Sequence, residues 1–181
     1  MREFILNLLD PVQLIGYAGM AFAVLSYQCK KNRNFFIMQF FCAVSFTIQM
    51  ALLHSFAGMM INVVSIFRGI IFSLGGRCKN KGYLIFLMVS FIFSAGVSVF
   101  VFNEMWWMAL ILLIGQGSGT LAMWTRNGKT IRLLQLSVVS PAWLVNNVYY
   151  GSTGGIACEI FNIISVLVSF IRFRKTGYDK T

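Results

Sequence analysis

Seven apolar stretches of about 20 residues limit this chain to a bundle of membrane-spanning helices. They cover residues 11–28, 34–53, 56–75, 83–102, 105–124, 131–150 and 154–173. A helix needs about 20 residues to cross about 30 Å of hydrocarbon. Because seven such helices use most of the 181 residues, we expect a single all-α transmembrane domain over 1–181, with no room for a soluble domain.

The composition excludes a soluble domain and a nucleic-acid partner. The chain is 58% hydrophobic and only 11% charged, whereas soluble domains carry about 25% charged residues. The net charge of +10 comes from small basic clusters between the apolar stretches, and this distribution is typical of a protein whose partner is the lipid bilayer.

The basic residues also predict the topology. Thirteen of the 15 follow stretches one, three, five and seven: Lys30, Lys31, Arg33, Arg77, Lys79, Lys81, Arg126, Lys129, Arg132, Arg172, Arg174, Lys175 and Lys180. Basic loops remain on the cytoplasmic side of a membrane. We therefore expect a multi-pass protein with its N-terminus outside and its C-terminus in the cytoplasm.

An internal repeat is indicated when the chain is compared with itself at an offset of 97 residues. The offset pairs Gln49 with Asn146, Ser55 with Ser152, Gly58 with Gly155, Asn62 with Glu159 and Ser65 with Asn162. The predicted plan is one three-helix repeat over 11–75, a linker helix over 83–102 and a second repeat over 105–173. Because the linker is a single helix, the second repeat enters the membrane in the same orientation as the first. Parallel three-helix repeats are the plan of the SWEET transporters, whose substrates bind between the repeats.

Several motifs resemble the YgjV-type bacterial inner membrane proteins. They are Trp143-x-x-Asn146-Asn147-x-x-x-Gly151-Ser152-x-Gly154-Gly155-x-x-x-Glu159, Ala57-Gly58…Ile61-Asn62-Val63…Phe67-Arg68 and Ile171-Arg172-Phe173. The resemblance implies a multi-pass protein of the bacterial inner membrane and names no substrate.

The chain departs from the SWEET and PQ-loop pattern at its hinges. Those proteins carry a Pro-Gln pair at the inner end of the first helix of each repeat. Here Tyr27-Gln28 and Trp124-Thr125 occupy these places. Pro141 lies inside the sixth stretch, where we expect it to kink the helix and free a backbone carbonyl.

Polar residues inside the apolar stretches are the candidate substrate-binding residues: Asn62, Ser65, Trp143, Asn146, Asn147, Glu159 and Asn162. Ionisable groups at bilayer depth are costly and often functional. Glu159 is therefore also a candidate for proton coupling. The alternative is that these side chains only form hydrogen bonds between helices.

Arg68 lies six residues after Asn62. It is a possible ion-pair partner of Glu159, but we expect its guanidinium to reach the cytoplasmic headgroups by snorkelling.

Two functions remain open on the sequence. The first is a small-solute transporter or facilitator, SWEET-like, with an unknown small polar solute as partner. The second is a non-transporting membrane scaffold or assembly partner. An enzyme is not expected, because no nucleophile lies near a base. No metal site or cofactor is expected, and the protein is a monomer or a homodimer.

Overall fold

The computed structural model describes residues 10–29, 32–73, 81–125 and 127–176, and the regular structure within these ranges is helical. The helices are α1 (Pro11–Gln28), α2 (Asn32–Leu52), α3 (Phe56–Ser73), α4 (Lys81–Phe100), α5 (Trp106–Thr125), α6 (Gly128–Leu134, Gln135–Val139 and Ser140–Tyr149 in succession) and α7 (Thr153–Thr176). Each apolar stretch of the sequence thus contains one helix.

Within the described residues, four helices are long and apolar enough to cross a membrane, namely α2 (from Arg33), α3, α4 and α5, while α1 and α7 contain shorter apolar segments. On α4 the outward side is apolar, with Ile85, Val89, Ile92 and Phe93 all more than half exposed. Such a surface suits a hydrocarbon environment, because lipid chains carry no penalty for contact with it.

Six of the helices form a closed ring. Neighbours around the ring are α1 and α2, α2 and α3, α3 and α5, α5 and α6, α6 and α7, and finally α7 and α1. Helix α4 lies outside, packed against α3 and α5. We call α1–α3 the first half of the ring and α5–α7 the second half.

The odd-numbered helices begin at the same end of the ring. The backbone of α1 at Gly16 approaches the start of α7 so closely that a Cβ on Gly154 would lie 2.8 Å from the Gly16 Cα. Glu104, just before α5, accepts a hydrogen bond from the backbone of Phe56 at the start of α3. We call this the serine end, after Ser55 and Ser152.

The opposite end is where α2, α4 and α6 begin, and we call it the basic end. Arg33, Lys81 and Lys129 lie there. Of the other basic residues used to predict the topology, Lys30, Lys31, Arg77, Lys79, Arg126 and Lys180 lie outside the described residues.

Two turns at the serine end share one geometry. The backbone of Ser55 donates to Met50 O at 2.9 Å, and the backbone of Ser152 donates to Asn147 O at 2.9 Å. The residue before each serine is left-handed, with φ of 57° at His54 and 66° at Gly151. Left-handed backbone favours glycine and is uncommon for other residues. These turns are 97 residues apart, the offset found in the sequence.

Pro141 disturbs α6 as expected. The five residues Gln135–Val139, just before it, form a π-helical turn, and the Ser140 backbone donates to Gln135 O. A proline inside a helix has no N–H to donate and clashes with the carbonyl four residues earlier. The wider π turn accommodates the missing hydrogen bond and relieves the clash. Such turns are frequent at functional sites.

Candidate functional site

A cavity lies inside the ring, with walls from all six ring helices. Its volume is about 60 Å³, which is room for a few water molecules. The polar and aromatic residues of its walls are Gln39, Cys42, Phe46, Asn62, Ser65, Arg68, Gln116, Gln135, Trp143, Asn147, Cys158, Glu159 and Asn162.

The structure brings together six of the seven residues proposed to bind a substrate. Asn62 and Ser65 come from α3, Trp143 and Asn147 from α6, and Glu159 and Asn162 from α7. Asn62 and Glu159 each lie six residues into their helices, or about 9 Å along the axis. The cavity walls therefore begin well inside the bundle.

Asn146 is the exception and does not line the cavity. Its Oδ1 accepts a hydrogen bond from Ser55 Oγ at 3.3 Å, and its Nδ2 lies 3.6 Å from Met50 Sδ. Successive residues of a helix point about 100° apart, so Asn146 and Asn147 face different neighbours. Asn146 thus makes its contacts at the serine end, outside the cavity wall, and its role in binding a substrate stays a prediction.

Three asparagine side chains present unused polar atoms in the cavity. Asn62 Nδ2, Asn147 Oδ1 and Asn162 Oδ1 are buried and have no hydrogen-bond partner among the described residues. All three residues are at most 5% exposed. A buried polar atom without a partner costs about 1–3 kcal/mol. The cavity therefore offers one donor and two acceptors to whatever occupies it.

Glu159 accepts a hydrogen bond from its own helix, since Asn162 Nδ2 donates to Glu159 Oε2 at 3.4 Å. On the neighbouring α6, Gln135 lines the same cavity, and its Nε2 donates to Ser140 Oγ at 3.1 Å. Gln135 is the first residue of the π turn before Pro141. The interruption of the α-helix therefore positions this residue of the cavity wall.

Sequence reasoning missed Gln135 as a residue of the cavity wall. It lies six residues before Pro141. A polar residue close to a proline inside a helix was the available signal.

Arg68 lies inside the bundle, on the part of the cavity wall that α3 provides. Its Nη1 donates to Gln116 Oε1 at 2.6 Å and to Thr120 Oγ1 at 3.0 Å, both on α5. Its Cζ lies 6.0 Å from the centre of the Phe91 ring on α4. The expected snorkelling is therefore wrong, because α5 supplies partners for the guanidinium in the interior. The ion pair with Glu159 remains a prediction.

A buried layer of four side chains joins the two halves at the serine end. Ser55 Oγ donates to Asn146 Oδ1, and Ser152 Oγ donates to Gln49 Oε1 at 3.1 Å. All four residues are fully buried, and none lines the cavity. We call Gln49, Ser55, Asn146 and Ser152 the crossed layer, since each half donates one bond to the other.

The contact between α1 and α7 carries a polar cap. Gln13 Oε1 accepts from the backbone of Thr153 at 3.0 Å and of Gly154 at 3.4 Å. It also accepts from Thr153 Oγ1 at 2.8 Å and from Gln49 Nε2 at 3.2 Å. The first N–H groups of a helix lack partners within the helix, so Gln13 satisfies the start of α7.

The contact between α3 and α5 has the matching cap. Glu104 Oε1 accepts from the backbone of Phe56 at 2.7 Å and of Ala57 at 3.4 Å, and its other oxygen accepts from the Tyr150 hydroxyl. The capped residues are again 97 positions apart. The caps fasten each first helix to the third helix of the other half, and sequence reasoning found neither, because Gln13 and Glu104 lie at helix ends, where solvated polar residues are ordinary.

No curated protein and no solved structure matches the chain. A family model described as "Bacterial inner membrane protein", Imp-YgjV, matches residues 11–177. The match includes all seven helices and the motif from Trp143 to Glu159. It agrees with the apolar ring and with the resemblance found in the sequence. The chain therefore belongs to the Imp-YgjV family of bacterial inner membrane proteins.

Proposed function

We propose that this protein carries a small polar solute across the inner membrane through the cavity at the centre of the ring. One observation carries the proposal: three buried asparagine atoms without partners, Asn62 Nδ2, Asn147 Oδ1 and Asn162 Oδ1, meet in one cavity beside Glu159. Binding sites for small molecules combine a concave space with a few convergent polar groups. The polar walls favour a carrier over a scaffold, whose centre would be filled with hydrocarbon side chains.

The carrier consists, in this proposal, of two parallel three-helix repeats joined by α4, the SWEET-like plan. In this plan α1 corresponds to α5, and α3 corresponds to α7. The first helix of each half contacts the third helix of the other half, α1 with α7 and α5 with α3. The two hydrogen bonds of the crossed layer also exchange under the offset of 97. Helix α4, outside the ring, has the place of a linker.

Transport proceeds by rocking the two repeats about the cavity. The serine end is closed by the crossed layer and by the two caps, so a solute enters and leaves there only after these bonds break. Motions of this kind move one repeat as a body against the other around a fixed site. We place the hinge at the π turn Gln135–Val139 before Pro141, which takes over the task of the absent Pro-Gln pairs.

The basic end faces the cytoplasm in this proposal, and the N-terminus lies outside. Arg33, Lys81 and Lys129 all lie at this end, which agrees with the tendency of basic loops to stay inside. The closed serine end is then the outer face. Glu159 is the group proposed to carry a proton, because it is the carboxyl group in the cavity wall.

The proposal is tested by solute uptake into liposomes that contain the purified protein. Small polar solutes that raise its thermal stability are selected first, because a ligand of the native state stabilises it. We expect at least one of them to enter protein-containing liposomes and not empty ones. Asn147→Leu should remove this uptake, while Ser90→Ala, on the outer helix α4, should retain it.

Two results would contradict the proposal. One is that no small polar solute stabilises or crosses with the folded protein. The other is that Asn147→Leu, correctly folded, transports as well as the Ser90→Ala control.

A further inference from the structure

We infer that the solute is a small primary amine, bound as its ammonium cation by the α6–α7 wall of the cavity. This inference rests on the proposed function and names the chemical class of the solute. The carboxyl group of Glu159 and the unpartnered buried oxygens of Asn147 and Asn162 all belong to α6 and α7.

The orientation of the Asn162 amide is fixed by its neighbours. Its Nδ2 donates to Glu159 Oε2 at 3.4 Å and lies 3.5 Å from Cys158 Sγ. A carboxylate only accepts, so the nitrogen must be the atom that faces it. The oxygen is left as the atom without a partner, and it can accept from a solute.

The Asn147 oxygen is brought to the same wall by a glycine. A Cβ on Gly155 would lie 2.4 Å from the Asn147 Cγ, so any larger residue would push this amide away from α7. Asn147 is 2% exposed and its Oδ1 has no partner among the described residues. The close approach places a second acceptor beside the helix that carries Glu159.

Three acceptors match the three N–H donors of a primary ammonium group. The charge also favours an ammonium group, because a buried carboxylate is costly unless a cation compensates it. The guanidinium in the cavity wall, that of Arg68, donates hydrogen bonds to Gln116 and Thr120 on α5. Trp143 lines the same cavity, and an indole ring attracts a cation near its face. A neutral polyol or amide would supply donors to the two asparagines but no charge to Glu159.

The opposite wall indicates the rest of the solute. Asn62 Nδ2, on α3, is an unpartnered donor, so we expect the solute to carry an acceptor such as a hydroxyl or carboxyl oxygen at its other end. A cavity of about 60 Å³ limits it to a few heavy atoms. Amino alcohols and the smallest amino acids have this size and this arrangement of groups.

The test compares ethanolamine with ethylene glycol, which have the same number of heavy atoms and differ in one ammonium group. Binding to the purified protein in nanodiscs is measured by calorimetry. We expect ethanolamine to bind about 10-fold or more tightly than ethylene glycol, since a hydrogen bond to a charged group is worth about 1.5–3 kcal/mol. Glu159→Gln should remove this preference, so that the variant binds the two solutes with similar affinity.

Asn147→Leu provides a second variant should Glu159→Gln fail to fold, and Ser90→Ala is the matched control. Asn147→Leu should weaken ethanolamine binding several-fold, and the control should not. Equal affinities for the two solutes in the wild type, or a preference for ethanolamine that survives Glu159→Gln, would overturn the inference. Binding of ethylene glycol would still support the proposed function in that case. Binding of no small solute would end both.

Discussion

The two halves of the ring are alike at the serine end and different in the cavity. At the serine end the turns before Ser55 and Ser152 have the same hydrogen bonds and the same left-handed residue. In the cavity, the offset of 97 pairs Phe46 with Trp143, and it pairs neutral Asn62 with acidic Glu159. Closing the serine end thus requires the same turn geometry in both halves. Binding an asymmetric solute in the cavity instead requires different groups on its two sides.

The largest effect is expected where the two halves approach most closely. In Gly154→Leu the new side chain would meet the Gly16 backbone, and helices cannot give way as a flexible side chain can. Overpacking of this kind costs about 3 kcal/mol or more. We expect loss of the monodisperse folded protein on size-exclusion chromatography, while Gly96→Leu, with nothing within 4 Å of its Cβ on α4, stays folded. An intact Gly154→Leu protein would show that α1 and α7 are not in contact.

The caps of the two contacts differ in charge, and this difference sharpens the comparison. Glu104→Ala leaves the backbone N–H groups of Phe56 and Ala57 and the Tyr150 hydroxyl without their acceptor. Gln13→Ala does the same at Thr153 and Gly154. Hydrogen bonds to a charged acceptor are about twice as strong as neutral ones. We expect losses of unfolding free energy of about 3 and about 1.5 kcal/mol, respectively.

Reversible unfolding in mixed micelles measures the loss of unfolding free energy in both variants. Glu104→Gln, which keeps an acceptor oxygen, should lose less than Glu104→Ala. Equal losses for Glu104→Ala and Gln13→Ala would mean that the charge of the carboxylate adds nothing at the α3–α5 contact.

The crossed layer should show the smallest and most symmetric effects. Ser55→Ala and Ser152→Ala each remove one buried hydrogen bond between the halves, at a cost of about 1 kcal/mol. The two costs should agree, and Ser45→Ala, whose hydroxyl bonds within its own helix, should cost less. The same unfolding experiment measures them, and a large cost for one serine alone would break the likeness of the halves.

The sequence was sufficient for the helices, because each is a long apolar run bounded by polar residues. It also singled out Asn62, Glu159 and Asn162 as candidates, since polar residues at bilayer depth are rare enough to stand out. Helix spacing placed Glu159 and Asn162 on one face, and both line the cavity.

The remaining features depend on how the helices are turned and paired, and no local pattern reports this. Asn146 and Asn147 are equivalent in the sequence, yet the rotation of α6 sends one to the crossed layer and the other to the cavity. Arg68 could have reached the headgroups by length alone. Its actual partners, Gln116 and Thr120, lie 48 and 52 residues away in the chain.

The most direct test is an experimental structure of the protein in nanodiscs with ethanolamine, at a resolution that shows ordered water. We predict density for the solute or for water within hydrogen-bond distance of Asn62 Nδ2, Asn147 Oδ1 and Asn162 Oδ1, with the serine end closed above it. A centre filled by hydrocarbon side chains, with the three amides bonded elsewhere, would contradict the carrier.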